Sequence, residues 1–199
     1  MATAQKKLKT ADKWKKKKWF SLIAPRLFQE RVIGETPAYD PESVMKRTVS
    51  VSLMTLTSNI KRQNVNIVFE VEKVQGDHAF TRVKTVELVP ASIKRKVGRG
   101  HDRLDDSFVC VTKDGVKVRI KPLIVANSKS SNILKASMRK LIVNGTKRTV
   151  ATITYEMLIN DIVNIKLQKA LKNVLHKMTP VRSVDIRLMQ RLGEALLSN

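Results

Sequence analysis

Apolar and polar residues alternate with a period of two in residues 47–53, RTVSVSL, where Val49, Val51 and Leu53 share one face and Thr48, Ser50 and Ser52 the other. That period marks a half-buried strand. The phase slips at Met54 before Leu56, which predicts a bulge or a strand end there. Residues 64–74, NVNIVFEVEKV, repeat the pattern through Val65, Ile67, Phe69 and Val71. Gly76 and Asp77 then offer a turn, and residues 79–89, AFTRVKTVELV, a returning strand closed by Pro90, so this part reads as an antiparallel meander. The sharpest local signal follows: residues 107–112, SFVCVT, then Lys113-Asp114-Gly115, then residues 116–121, VKVRIK. Two strand runs joined through Asp-Gly specify a hairpin. Val116, Val118 and Ile120 fall on its core face, and Lys117, Arg119 and Lys121 on the opposite one. After Pro122 the run LIVA reads as a further short strand; residues 183–189, SVDIRLM, form the last, and residues 187–197 a frayed end or final turn.

Between these lie helical patterns. In residues 130–143, Leu134, Met138, Leu141 and Ile142 recur at helical spacing with Lys135 and Arg139 on more exposed faces. Residues 149–157 fit a short strand or a helix start equally well. Residues 155–177 carry Leu158, Ile162, Ile165, Leu171, Val174 and Leu175 and predict the longest helix, ended by residues 178–182 with Pro180. Residues 34–41, GETPAYDP, read as a connector rich in turn formers. The class is α+β, divided into a basic extended arm over residues 1–18, a single domain over residues 19–192 and a tail over residues 193–199.

Charge then redirects the reading from fold to partner. Against 39 Lys+Arg stand 17 Asp+Glu, a net charge of +22 over 199 residues. Such an excess repels itself unless a polyanion neutralises it, and a nucleic acid does so with release of counterions. Residues 1–19 hold eight lysines and one acid, Asp12; residues 113–148 hold ten basic residues and one acid, Asp114. The candidate RNA contacts in the arm are Lys13, Trp14, Lys15, Lys16, Lys17, Lys18 and Trp19, because aromatic groups among lysines can stack on bases. Residues 91–103 read as a glycine-containing loop presenting Lys94, Arg95, Lys96, Arg99 and Arg103 around Gly98 and Gly100. On the hairpin, Lys117, Arg119 and Lys121 recur about every 7 Å, a spacing suited to a phosphate backbone. Lys135 and Arg139 add cations from the helix.

Other chemistry finds little support. Hydrophobic content of 42% is enough for a folded core, and the single cysteine, Cys110 in FVCV, reads as a buried thiol in a reducing compartment. No run reaches the ~20 apolar residues that span a bilayer, and no apolar segment follows the basic start as a secretory signal would require, so a cytoplasmic location is expected, with no membrane partner. His78, His101 and His176 lack ligand-like spacing. Asp102, Asp105 and Asp106 could hold magnesium, but a turn cap or pairing with Arg99 and Arg103 is the plainer role. Nucleotide-loop, nucleophile-elbow and CxxC motifs are missing. The expectation is no cofactor, no metal and no enzyme.

Residues 12–25, DKWKKKKWFSLIAP, residues 34–41, GETPAYDP, residues 112–123, TKDGVKVRIKPL, and residues 178–189, MTPVRSVDIRLM, occur in an order that resembles the S-three-Ae (e-S-one) family of archaeal and eukaryotic small-subunit ribosomal proteins, over about residues 12–192. The compact length resembles the archaeal form. The resemblance implies an antiparallel β-barrel-like core with flanking helices, bound to small-subunit ribosomal RNA on the platform near the messenger RNA exit. It implies neighbouring ribosomal proteins as partners and proximity to the message and the initiation machinery. By the same resemblance Lys13, Trp14, Lys16, Trp19 and Pro25 match a basic-aromatic leading segment, Asp114 and Gly115 the hairpin turn, and Pro180, Arg182, Asp185, Ile186 and Arg187 a terminal strand, adding Arg182 and Arg187 to the RNA contacts. The chain departs from the family in KRKVGRGHDRLDD, where a denser arginine run is usual, and in IRLMQR near its end. A free RNA-binding or RNA-chaperoning protein, a DNA-compacting protein and a membrane-peripheral protein are the alternatives.

Overall fold

A computed structural model describes residues 17–194. The chain clusters into two compact units, one made of residues up to Ile60 with Ile67–Lys84, the other of Lys61–Asn66 with Thr85 onward.

The first unit contains strands β1 (Lys18–Ile23), β2 (Val32–Ala38) and β3 (Thr48–Ser52), the one-turn-plus helix α1 (Leu53–Thr57), most of β4 (Val65–Gln75) and the first half of β5 (His78–Leu88). β3 ends where the alternation slips, and Ser52 caps α1 by accepting from the Met54 N–H. β4 and β5 form the predicted hairpin, with Gly76 at φ +59° in its turn. The stretch read as a connector is largely strand: β2 takes Gly34–Ala38 into antiparallel pairing with β1, Trp19 opposite Pro37. Proline is tolerated because β2 is an edge strand, where its missing N–H costs no ladder bond. β1 pairs with β5 in parallel, and Phe20, Leu22, Ala38, Val44, Val71 and Ala79 close a core beneath them.

The second unit holds the rest of β5, helix α2 (Pro90–Lys96), strands β6 (Arg103–Asp105), β7 (Phe108–Val111) and β8 (Val116–Ala126), helices α3 (Asn132–Thr152), α4 (Tyr155–Val163) and α5 (Lys166–His176), and strand β9 (Val181–Glu194). VKVRIK and LIVA are one strand, not two. Pro122 sits inside β8 where the pairing with β9 shifts register and where β7 has ended and β6 has not begun, so neither neighbour requires its N–H. Val118, Ile120 and Ile124 of β8, Leu104 of β6 and Met189 of β9 are fully or almost fully buried. α5 packs on β9 and α3 on β7.

Three helical expectations change. α3 is the longest helix, because Ser131 caps it and Met138, Ile142, Thr146 and Val150 keep a buried stripe at four-residue spacing past Gly145. Residues 155–177 split into α4 and α5 at Ile165, whose φ of 59° breaks the helix; the Ile162 carbonyl there accepts from the Ile165 N–H at 3.2 Å and from Gln168 Nε2 at 3.0 Å. Residues 91–96, expected as loop, are helix α2, with Pro90 in its first turn and three cations in its last, favourable against the helix dipole. The final strand also runs on to Glu194 rather than fraying.

The strands pair in the order β2-β1-β5-β9-β8-β6, with β4 beside β5, β3 beside β4 and β7 beside β8. Among the described residues this is a mixed nine-stranded sheet in which β2, β3, β6 and β7 each have a single neighbour, so the sheet is not closed into a barrel.

Candidate nucleic-acid interface

β8 carries the cationic row that its alternation predicts. Val116, Val118 and Ile120 are buried, Lys117 is exposed, and Arg119 and Lys121 are half-exposed on the opposite face. Across the ladder, Lys117 faces Val111 of β7, and Arg119 lies between Val109 of β7 and Gln190 of β9. The turn that fixes this register is held by the Gly115 N–H donating to the Thr112 carbonyl, with Gly115 at φ +74°. Asp114 accepts from the Tyr155 N–H at 2.8 Å, tying the turn to the start of α4.

Strand β9 adds arginines in a way that simple alternation would not give. Its pairing skips one residue at Arg187 and another at Arg182, so both occupy bulges of β9. A bulge re-aims the extra side chain. Arg187 Nη1 donates to Asp105 Oδ2 at 2.7 Å, and Arg103 donates to the same oxygen. Arg182 donates to His101 Nε2 at 3.2 Å, while His101 Nδ1–H donates to the Asn127 carbonyl at 2.8 Å.

The three aspartates of residues 102–106 are sorted by strand alternation. Asp105 lies with Arg103 on the face of Lys121. Asp102 and Asp106 serve helix α3, where Lys135 meets Asp102 at 3.1 Å and Arg139 meets Asp106 at 3.4 Å. The Ser130 N–H and the Lys135 ammonium beside Asp102 hold its carboxyl below the usual range. The aspartates therefore pair with Arg103, Arg187, Lys135 and Arg139, and not with Arg99. Among the described residues no group of three His, Cys, Asp or Glu side chains could hold a metal. Cys110 is buried as expected, and burial pushes its thiol up to about 11.

Helix α2 distributes its cations by helical spacing. Pro90, Ile93 and Lys94 face a hollow of about 370 Å³ that also meets Arg103, Lys121 and Arg187. Ser92, Arg95 and Lys96 face a second hollow with Arg182, where Lys96 bonds Asp185 at 2.6 Å and Arg95 bonds Asn64 at 3.1 Å. Apart from Arg95, bonded to Asn64, and Arg182, bonded to His101, the candidates of this unit fall into two sets. Lys94, Arg99, Lys117, Arg119 and Lys121 make no ion pair within the described residues. Lys96, Arg103, Lys135, Arg139 and Arg187 are each matched to a carboxylate. Lys18 and Trp19 open β1 in the other unit, both exposed, with Lys17 just before them. Lys13, Trp14, Lys15 and Lys16, and with them most of the expected arm, lie outside the described residues. The carboxylate partner Asp185 and the hollow-lining Glu87 and Leu188 had no local signal, since each acts through neighbours distant in sequence.

Comparison with known proteins gives one concordant answer. A model described as the Ribosomal S3Ae family matches residues 5–194. The small ribosomal subunit protein eS1 of Methanothermobacter thermautotrophicus is 30% identical over 186 residues, covering 94% of this chain and 95% of the relative. The proteins of the same name from Nanoarchaeum equitans and Sulfurisphaera tokodaii are 33% and 34% identical, over 90% and 88% of this chain and 90% and 91% of their own lengths.

Proposed function

The chain belongs to the ribosomal S3Ae family, and from that premise we propose that it is built into the small ribosomal subunit with the basic row of β8 against ribosomal RNA. The family is one of structural ribosomal proteins and not of enzymes. The observation that carries the RNA-facing part of the reading is Lys117, Arg119 and Lys121 in one line without ion-pair partners among the described residues, above a strand face that is wholly buried. Uncommitted cations at strand spacing meet successive phosphates without internal carboxylates to displace, and such contacts position a protein on RNA without reading its sequence.

The remainder of the reading follows the family. The site is the platform near the messenger RNA exit, in the cytoplasm, beside other small-subunit proteins, in reach of the message and the initiation machinery. The basic segment that precedes β1 runs along RNA as an arm. No described helix is long and apolar enough to cross a membrane.

Sedimentation of a cell lysate through a sucrose gradient tests the assignment. The chain should travel almost entirely with small subunits, at one copy each. A large free pool would favour the free RNA-binding reading instead. With purified chain and small-subunit RNA, neutralisation of six to ten phosphates should cost roughly 10³–10⁵ in affinity between 50 and 200 mM salt. A salt-independent affinity would overturn the proposed contact.

A further inference from the structure

The hollow beside α2 has a layout that a line of phosphate contacts does not require. Glu87 of β5, Leu188 of β9 and Lys121 of β8 lie in one cross-strand row. Glu87 and Lys121 are therefore two strand spacings apart, about 10 Å between backbones. At the Lys121 end, Lys94 comes from α2, and Arg103 and Arg187 are held side by side on one oxygen of Asp105. Two guanidinium groups would otherwise repel, so the carboxylate fixes a paired fork ready for an anion. At the other end the Glu87 carboxylate makes no hydrogen bond or ion pair among the described residues. Ile93 and Leu188 line the hollow between the two ends.

We propose that this hollow seats one unstacked nucleotide of the bound RNA. The phosphate sits among Lys94, Lys121 and the fork of Arg103 and Arg187, the base lies against Ile93 and Leu188, and an exocyclic amino group on the base donates to Glu87. Asp105 is a positioning residue here, acting through the two arginines. RNA is commonly read at unstacked loop and bulge bases through stacking and edge contacts, and a hollow with an acceptor opposite a cationic end suits that form of contact. The inference rests on the RNA-binding reading above, and goes beyond it by predicting a preference for bases that carry an exocyclic amino group, adenine, cytosine and guanine, over uracil, which has none.

The test uses the full chain with three probes, adenosine monophosphate, uridine monophosphate and inorganic phosphate, by equilibrium dialysis at low salt, beside binding of small-subunit RNA. Adenosine monophosphate should bind at least about tenfold more tightly than phosphate and several-fold more tightly than uridine monophosphate. Lys121→Ala should weaken all three probes with an unchanged circular dichroism spectrum. Glu87→Gln, which adds a donor, should bring uridine monophosphate up to the adenosine nucleotide. Asp105→Asn should weaken both nucleotides. Equal binding of phosphate and adenosine monophosphate, or nucleotide binding indifferent to both Lys121→Ala and Glu87→Gln, would overturn the proposal. If small-subunit RNA still bound with steep salt dependence in that case, only the nucleotide seat would fall; loss of RNA binding as well would remove the reading beneath it.

Discussion

Two neighbours on β8 give the strongest test of the face assignment. Ile120 is completely buried, and Arg119 beside it is half-exposed on the opposite face. Ile120→Ala removes three carbons, worth about 2.4 kcal/mol at ~0.8 kcal/mol each. The surrounding core cannot collapse fully onto the gap, because Phe108 of β7 and Met189 of β9 are pinned opposite it by the ladder. A cavity term then brings the expected loss to about 3–4 kcal/mol. With a urea dependence of about 2 kcal/mol/M, the unfolding midpoint followed by far-ultraviolet circular dichroism should fall by about 1.5–2 M. Arg119→Ala should move stability by no more than about 0.5 kcal/mol, since its side chain carries no ion pair within the described residues. Its effect should appear in RNA binding instead: a loss of affinity at low salt and a drop of about one in the slope of log affinity against log salt. If Arg119→Ala destabilised the chain as much as Ile120→Ala, or left the salt slope unchanged, the division of β8 into a core face and a phosphate face would be refuted.

Other expected outcomes are independent of that face. Gly145→Ala should raise stability by about 0.5–1 kcal/mol in thermal unfolding, because a Cβ there would stand 3.9 Å from Leu171 in ordinary contact and helix propensity favours alanine. Burial raises the carboxyl of Glu70, but hydrogen bonds from Lys84 and Arg82 outweigh it and hold the group below its usual value. Its contribution to stability is therefore present above the unfolded-state pKa and lost as pH falls through the lower folded value, so Glu70→Gln should lower the melting temperature at pH 7 and make no difference at the acid end of a pH series. The Cys110 thiol, raised to about 11 and bonded to the Val118 carbonyl, should resist a thiol reagent at pH 8 in the folded protein and react promptly in urea.

Much of this was legible locally. The alternation of residues 116–121 placed Val118 and Ile120 in the core and Lys117, Arg119 and Lys121 outside, and Asp114-Gly115 placed the turn, because side-chain period and turn geometry are properties of adjacent residues. The β4–β5 hairpin and the end of β3 followed from the same rule. Misreadings arose where composition pointed one way and partners decided the other. GETPAYDP looked like a connector, yet β1 offered it an edge. ASIKRK looked like a loop because of the glycines after it, although proline at its start and cations at its end are helix signals.

Periodicity and charge sufficed to define an α+β chain with a basic strand face, and the resemblance of four ordered motifs sufficed to indicate its family. Tertiary structure decided which cations remain uncommitted. Asp105 and Arg187 are 82 residues apart, and they meet because β6 and β9 flank β8 in one register and a bulge in β9 releases Arg187 from its alternation. Strand order, bulges and charge pairing depend on which distant segments are brought within hydrogen-bond reach, and the pattern of neighbouring residues does not encode that distance.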